Sequence, residues 1–389
     1  MSNNILWLVS WYPNALSPFD GDFIQRHATA VSSNENITVL YIKKDEKQTI
    51  TTHTKKVITQ TGNLTEIIIY YHPLTTGIKL LDKFLSRKKY NSTGRKILKK
   101  FIEEKGVPGL VHVHVALNVV KQALWLKKKY CLPLIISEHW TGYLPEATPN
   151  LTNYNPVYKK WLQKIFNNAD AITVVSKVLG DAIKNRFKIN YRVIPNVVDT
   201  NIFYPAQKQD FSITKFIHVS LLNHQKNPQD IIEAFNIVKK SGYNFQLAIY
   251  GPENIELKQM VTDKDLQEEI IFKKEVPQNI LAEDMQQSDA LILYSHYETF
   301  GCVVIEANAC GIPAIVSDIP VFREYLIENI TGLFAIPNNP AALAEKIISF
   351  INNKKAFSST KIANHTKQFF SYDAVAQQFS ALYKTVITK

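Results

Sequence analysis

Short runs of branched and aromatic residues recur along this chain, each followed by a longer stretch with helical periodicity, and that alternation leaves few folds open. Runs at 5–9, 37–42, 66–71, 110–115, 134–137 and 171–175 form one series; runs at 216–220, 245–250, 270–272, 290–294 and 314–317 form a second. Strands separated by helices pair side by side rather than as hairpins, so each series predicts a parallel, doubly wound α/β sheet. At 389 residues the chain exceeds what one hydrophobic core usually supports, in keeping with two sheets in two domains. Pro195-Asn196 and Pro205 interrupt the pattern and place the division within 191–205, giving domains at 1–190 and 200–372. Ligands of such sheets lie beyond the carboxyl ends of the strands, so two facing sheets are expected to frame a cleft.

Composition removes several function classes. A hydrophobic fraction of 46% with 20% charged residues is that of a globular chain, not a disordered one. No stretch reaches the roughly 18 apolar residues of a membrane span, and residues 1–10 lack a basic leader, so a cytoplasmic location is expected. Cys131, Cys302 and Cys310 are odd in number and lack C-x-x-C spacing, which predicts buried apolar fillers rather than disulfides or a zinc site. The net charge of +11 is unevenly placed: Lys79 to Lys105 holds ten Lys or Arg against three carboxylates, with Leu80, Leu81, Phe84 and Leu85 among them. Such a segment suits either a solvated helix face or peripheral contact with an anionic membrane. No base-reading motif accompanies the charge, so nucleic acid is not an expected partner.

The most specific segment is Ser295-His296-Tyr297-Glu298-Thr299-Phe300-Gly301-Cys302-Val303-Val304-Ile305-Glu306-Ala307, which follows a strand and opens a helix. Glu298 falls in the loop and Glu306 one to two turns into the helix, with the amides of Phe300, Gly301, Cys302 and Val303 between them. Free N–H groups at a helix start, reinforced by its dipole, attract anions, and a diphosphate would sit there with a glutamate reaching hydroxyls on either side. Spacing alone leaves a plainer alternative open, in which Glu298 caps the helix and Glu306 is an ordinary surface residue.

This segment, with Gly311-Ile312-Pro313 after it, resembles the E-x7-E region of the retaining glycosyltransferases called family 4, whose GT-B fold joins two facing Rossmann-like domains. The resemblance spans nearly the whole chain. Gly21-Asp22-Phe23 looks like the family's N-terminal glycine loop and Val111-His112-Val113-His114 like its strand-end histidine motif. Ser137-Glu138-His139-Trp140 looks like the segment of its central histidine, Pro195-Asn196-Val197-Val198-Asp199 like its inter-domain segment, and Gln225-Lys226-Asn227 like its lysine loop.

The resemblance implies transfer of a sugar from a nucleoside-diphosphate sugar to a glycan or lipid-linked acceptor, with retention of configuration and no metal or other cofactor. It implies that Glu306 binds the donor's ribose, that Glu298 and His139 meet the transferred sugar, and that Lys226 neutralises the departing diphosphate. Gly21 would give the backbone close approach to substrate, His112 and His114 would support or, for His114, line the acceptor side, and the last helix, about 373–389, would pack back on the first domain. The departures concern phosphate: Leu221 stands where the family carries an arginine, Asp22 and Val197 replace two glycines, and Thr299 a third. They keep one alternative in view, a catalytically silent GT-B protein that binds nucleotide sugars or serves assembly; a second, on the same two-domain fold, is a sugar-nucleotide epimerase, which needs acid/base carboxylates in the first domain.

Overall fold

A computed structural model describes residues 4–208 and 213–388. The chain divides into two compact units, Met1–Pro195 with Val375–Lys389, and Asn196–Ala374. The first unit holds β1 (Asn4–Val9), β2 (Asn36–Lys44), β3 (Thr54–Thr61), β4 (Leu64–Tyr71), β5 (Leu110–His114), β6 (Leu134–Glu138), β7 (Ala171–Val174) and β8 (Arg192–Val193). Their order across the sheet is β3-β4-β2-β1-β5-β6-β7-β8, parallel except for the antiparallel β3–β4 pair. Central β1 pairs β2 on one side and β5 on the other, and Ile5 to Val9 are all buried. Helices cover both faces of such a sheet, which is why the run is apolar without alternation.

The sequence did not announce β3. Its Thr-Lys-Lys-Val-Ile-Thr-Gln-Thr run is exposed at every position because it forms the sheet's edge, and Gly62 at φ 56° turns it back onto β4. Cys131 is also a correction: it caps the helix Val120–Tyr130 in the left-handed conformation and is exposed, while Cys310 is buried and Cys302 half-buried. The helix Tyr372–Ile387 contributes Phe379, whose ring lies 5.5 Å from those of His27 and His112, and Tyr383, hydrogen-bonded to His112 Nδ1 at 2.9 Å.

The second unit is a six-stranded, wholly parallel sheet of β9 (Thr214–Val219), β10 (Phe245–Tyr250), β11 (Ile270–Lys273), β12 (Ala290–Leu293), β13 (Ala314–Ser317) and β14 (Gly332–Ala335). The order is β11-β10-β9-β12-β13-β14. Strand β14 was not anticipated; it is short and opens on Gly332, where a Cβ would fall 2.5 Å from the Ala314 carbonyl oxygen. One side of the sheet is packed by Phe216, Phe235, Phe245 and Phe350, whose neighbouring ring centroids lie 4.7 to 5.8 Å apart.

Candidate active site

In the second unit, β12 leads through Ser295–Phe300 into the helix Cys302–Ala309. Gly301 makes the turn at φ 86°, and a Cβ there would meet Phe322 Cε1 at 2.9 Å, so glycine is required on two grounds. Phe300 is buried, stacks on Tyr325 at 4.8 Å, and its carbonyl accepts the Tyr325 hydroxyl proton at 2.6 Å. Tyr325 packs in turn on Phe370, so the entry to the helix is held from behind. The amides of Cys302 and Val303 thus belong to a fixed helix start of the kind that favours an anion.

Two of the sequence-predicted residues meet directly. Lys226 Nζ forms an ion pair with Glu298 Oε1, across 72 residues of sequence. Glu298 also accepts the Ser295 hydroxyl at 3.0 Å, and Gln225 Nε2 donates to the Tyr297 carbonyl at 3.0 Å, tying the lysine loop to the glutamate loop. The pair is desolvated unequally, the lysine side chain being 17% exposed and the glutamate 5%. Glu306 is buried on the helix itself, not a surface residue, and its carboxylate, after burial, is what pushes the Cys310 thiol up to about 12.

A histidine missed in the sequence sets the loop before Lys226. His218, on β9, is buried, and burial lowers it to about 4, so it is the neutral imidazole. Its Nδ1–H donates to the Ile292 carbonyl at 2.8 Å, Nε2 accepts the Ser220 hydroxyl at 2.7 Å, and Ser220 Oγ accepts Leu222 N–H at 3.0 Å. Leu222 is thereby held at φ 51°. Leu221, between them, is 61% exposed, an apolar side chain at the position where the resemblance calls for a cation.

The other predicted residues lie in the first unit. Gly21 caps the helix Asp22–Val31 at φ 68°, and a Cβ there would come within 2.6 Å of the Trp11 backbone; what approaches this glycine is the chain's own loop. Phe23, in the first turn of that helix, lies 4.9 Å from His139, which follows β6, so His139 packs against the helix that Gly21 caps. His139 is also neighbour to His27 and His114, at 5.6 and 5.7 Å. His112 and His114 are fully buried, and burial holds both well below the usual imidazole range. Trp7 stacks on His114 at 4.0 Å, which makes His114 packing rather than an acceptor-side wall.

Glu138, immediately before His139, also escaped the sequence reading. Its Oε1 accepts Ala116 N–H at 2.9 Å and the Tyr143 hydroxyl at 3.0 Å, binding the loop after β5 to the end of β6. Burial, opposed by those hydrogen bonds, pushes the carboxyl up to about 7. The sequence signal was a carboxylate at a strand end beside the chosen histidine.

Two Asp-x-Asp pairs occur in the sequence. Asp20 and Asp22 are held by Lys43 at 3.1 Å and Arg26 at 2.9 Å. Asp263 and Asp265 close the helix Ile255–Asp263, which runs from β10 back to the amino end of β11, away from the carboxyl ends of the strands. Among the described residues no group of three or more His, Cys, Asp or Glu is placed to hold a metal.

Comparison with known proteins agrees with this architecture. Residues 207–368 match the family described as glycosyl transferases group 1, and residues 56–202 match glycosyltransferase family 4. An uncharacterised glycosyltransferase of Methanocaldococcus jannaschii, MJ1178, is 29% identical over 262 residues, covering 67% of this chain and 70% of that protein. Sucrose-phosphate synthase from Thermosynechococcus elongatus superposes with a TM-score of 0.77 at 17% identity, covering 99% of both chains. HepE from Anabaena, solved with UDP, superposes at 0.71 with 16% identity, covering 98% of this chain and all of that one. Each half of the chain thus matches a glycosyltransferase family model, and the whole has the GT-B fold.

Proposed function

We propose that the protein is a retaining glycosyltransferase using a nucleoside-diphosphate sugar, and that it glycosylates a hydroxyl of a glycan or glycolipid precursor of a cell-surface polysaccharide. The observation that carries this is the Lys226–Glu298 pair beside the fixed start of the helix Cys302–Ala309. The bond from the sugar's anomeric carbon to the diphosphate breaks, the bond to the acceptor oxygen forms, and the acceptor's proton is released. Charge develops on the departing diphosphate, which the helix start and Lys226 neutralise, while Glu306 takes the ribose hydroxyls and Glu298 takes the transferred sugar. That HepE was solved with UDP-glucose as well as UDP supports a uridine nucleotide as the first donor to try.

The test is a thermal-shift and hydrolysis panel of UDP-, GDP-, ADP- and dTDP-sugars on wild type and Glu306→Ala. One nucleotide sugar should stabilise the wild type, lose that effect in the variant and be slowly hydrolysed. Leu221 in place of an arginine favours the silent-binder reading, which predicts stabilisation with no turnover on any acceptor. No response to any nucleotide sugar would refute both.

The helix Lys79–Lys105 supports peripheral membrane contact. Leu80 is 84% and Phe84 65% exposed beside Lys79, Lys83, Arg87 and Lys88, and none of the described helices is long and apolar enough to cross a bilayer. Anionic vesicles at low salt should sediment the protein and neutral ones should not; equal behaviour with both removes this part.

A further inference from the structure

A cavity of about 1390 Å³ lies wholly within the first unit, over the carboxyl ends of β1, β2, β4 and β5, and none of the residues assigned above to the donor or the transferred sugar lines it. Its acidic side chains are already engaged. Asp20 is paired with Lys43 at 3.1 Å, Glu46 with Lys44 at 2.5 Å, and Asp82 accepts the amide and hydroxyl protons of Thr76 at 2.5 and 2.7 Å. Asp45 accepts the amides of Thr49, Ile50 and Thr51.

Among the lining cations, Lys79, Lys83, Arg87 and Lys121 have no carboxylate partner among the described residues. The first three stand four residues apart on one helix and share a face. Lys121 lies over the Trp161 ring at 5.1 Å, which leaves its ammonium beside a flat apolar wall. Tyr158 lines the same space; it is only 7% exposed, yet its hydroxyl has no hydrogen-bond partner among the described residues. A buried hydroxyl without a partner is costly unless something supplies an acceptor. Unpaired cations, an aromatic wall and a waiting donor in one concave space describe a ligand with a strong anion at one end and a polyhydroxylated ring at the other.

We propose that this cavity is the acceptor subsite and that its acceptor is a saccharide bearing a phosphate group. The cations of the helix Lys79–Lys105 and Lys121 take the phosphate, the Trp161 wall takes the sugar face, and the Tyr158 hydroxyl donates to a sugar oxygen. Calling the ligand an acceptor rests on the transferase reading; its binding does not. The same chemistry is offered by a soluble sugar phosphate and by a sugar phosphate esterified to a lipid.

The full-length protein, without nucleotide, would be titrated with glucose, galactose and mannose 1-phosphates, with the free hexoses, with inorganic phosphate and with the farnesyl phosphate esters of the same sugars. Calorimetry would supply the affinities, and the fluorescence of Trp11 and Trp161, which line the cavity, would check them. At least one hexose phosphate should bind about ten-fold or more tightly than its hexose, because charge-assisted hydrogen bonds carry that difference, and about ten-fold or more tightly than inorganic phosphate, because Trp161 and Tyr158 meet the sugar. Arg87→Ala and Lys83→Ala should each remove most of that advantage, Tyr158→Phe a few-fold at unchanged melting temperature, and Lys367→Ala, on the other unit, none of it. Tighter binding of the farnesyl ester identifies a lipid-linked source, and equal binding a soluble one. The proposal is overturned if every hexose phosphate binds no better than its hexose or than inorganic phosphate, or if both cation variants retain wild-type affinity. As no donor is present, such a failure leaves the nucleotide-sugar reading intact; loss of nucleotide binding in the thermal-shift panel would do the reverse.

Discussion

The two units rest on the same kind of parallel sheet and treat the polar groups near their strand ends in opposite ways. The second keeps opposite charges in contact, Lys226 against Glu298, on two loops tied together by Gln225. The first gathers four imidazoles, His27, His112, His114 and His139, into one buried aromatic cluster and holds at least two of them neutral. A paired charge can change partner when a diphosphate arrives, since one anion replaces another beside the lysine. A buried neutral ring offers no such exchange without unpacking its neighbours. The Lys226–Glu298 pair is thus equipped to exchange one anion for another, and the histidine cluster of the first unit to hold a shape.

The largest expected effect falls on the charged pair. Lys226→Ala should lower turnover by roughly 10²-fold or more, as with loss of one transition-state donor, and unchanged turnover on the donor found by the panel would break the contrast between units. Combining it with Glu298→Gln should cost far less than the two single losses together, because one interaction is removed twice; additive losses in a double-mutant cycle would show that the residues act separately. Next comes Gly301→Ala, expected to destabilise by about 1–3 kcal/mol in thermal unfolding through its left-handed backbone and the Phe322 contact, with donor affinity falling in parallel.

The histidine cluster should declare itself through acid. Between their depressed folded values and about pH 6.5, the unfolded histidines bind protons that the folded His112 and His114 refuse, so stability falls as pH drops below 6.5, by up to about 1.4 kcal/mol per pH unit for each. Glu138 acts in the other direction: raised to about 7, it is protonated in the fold and ionised in the unfolded chain from about pH 4.5 upward, so its contribution is lost as pH rises through that window. Glu138→Gln should therefore expose the histidine limb alone, and His114→Phe should flatten that limb; pH-independent unfolding in both variants would dissolve the argument for neutrality. Smallest is Leu221→Arg, an exposed change expected to lower the donor KM by about three-fold without moving the melting temperature.

What the sequence disclosed follows from how locally each feature is written. The central strands were legible because a sheet covered on both faces demands uninterrupted apolar runs such as Ile5 to Val9, and the glutamate pair because both members lie within one strand-to-helix connection. Strand β3 was hidden by its polar, exposed edge position, and β14 by its brevity and its opening glycine. The Lys226–Glu298 contact joins loops 72 residues apart, and the cavity draws on four strand ends and several helices, so neither has a local signature. His218 looked like an ordinary strand residue, and Glu138 stood beside a chosen histidine without drawing attention; their burial and hydrogen bonds distinguish them.

Lys79, Lys83 and Arg87 carry like charge on successive turns of one helix. Each such neighbouring pair opposes helix formation by about 0.2–0.5 kcal/mol, a repulsion that dissolved ions weaken. This end of the helix is consequently salt-hardened: added electrolyte should make it more resistant to heat, where a helix laced with opposite charges would soften.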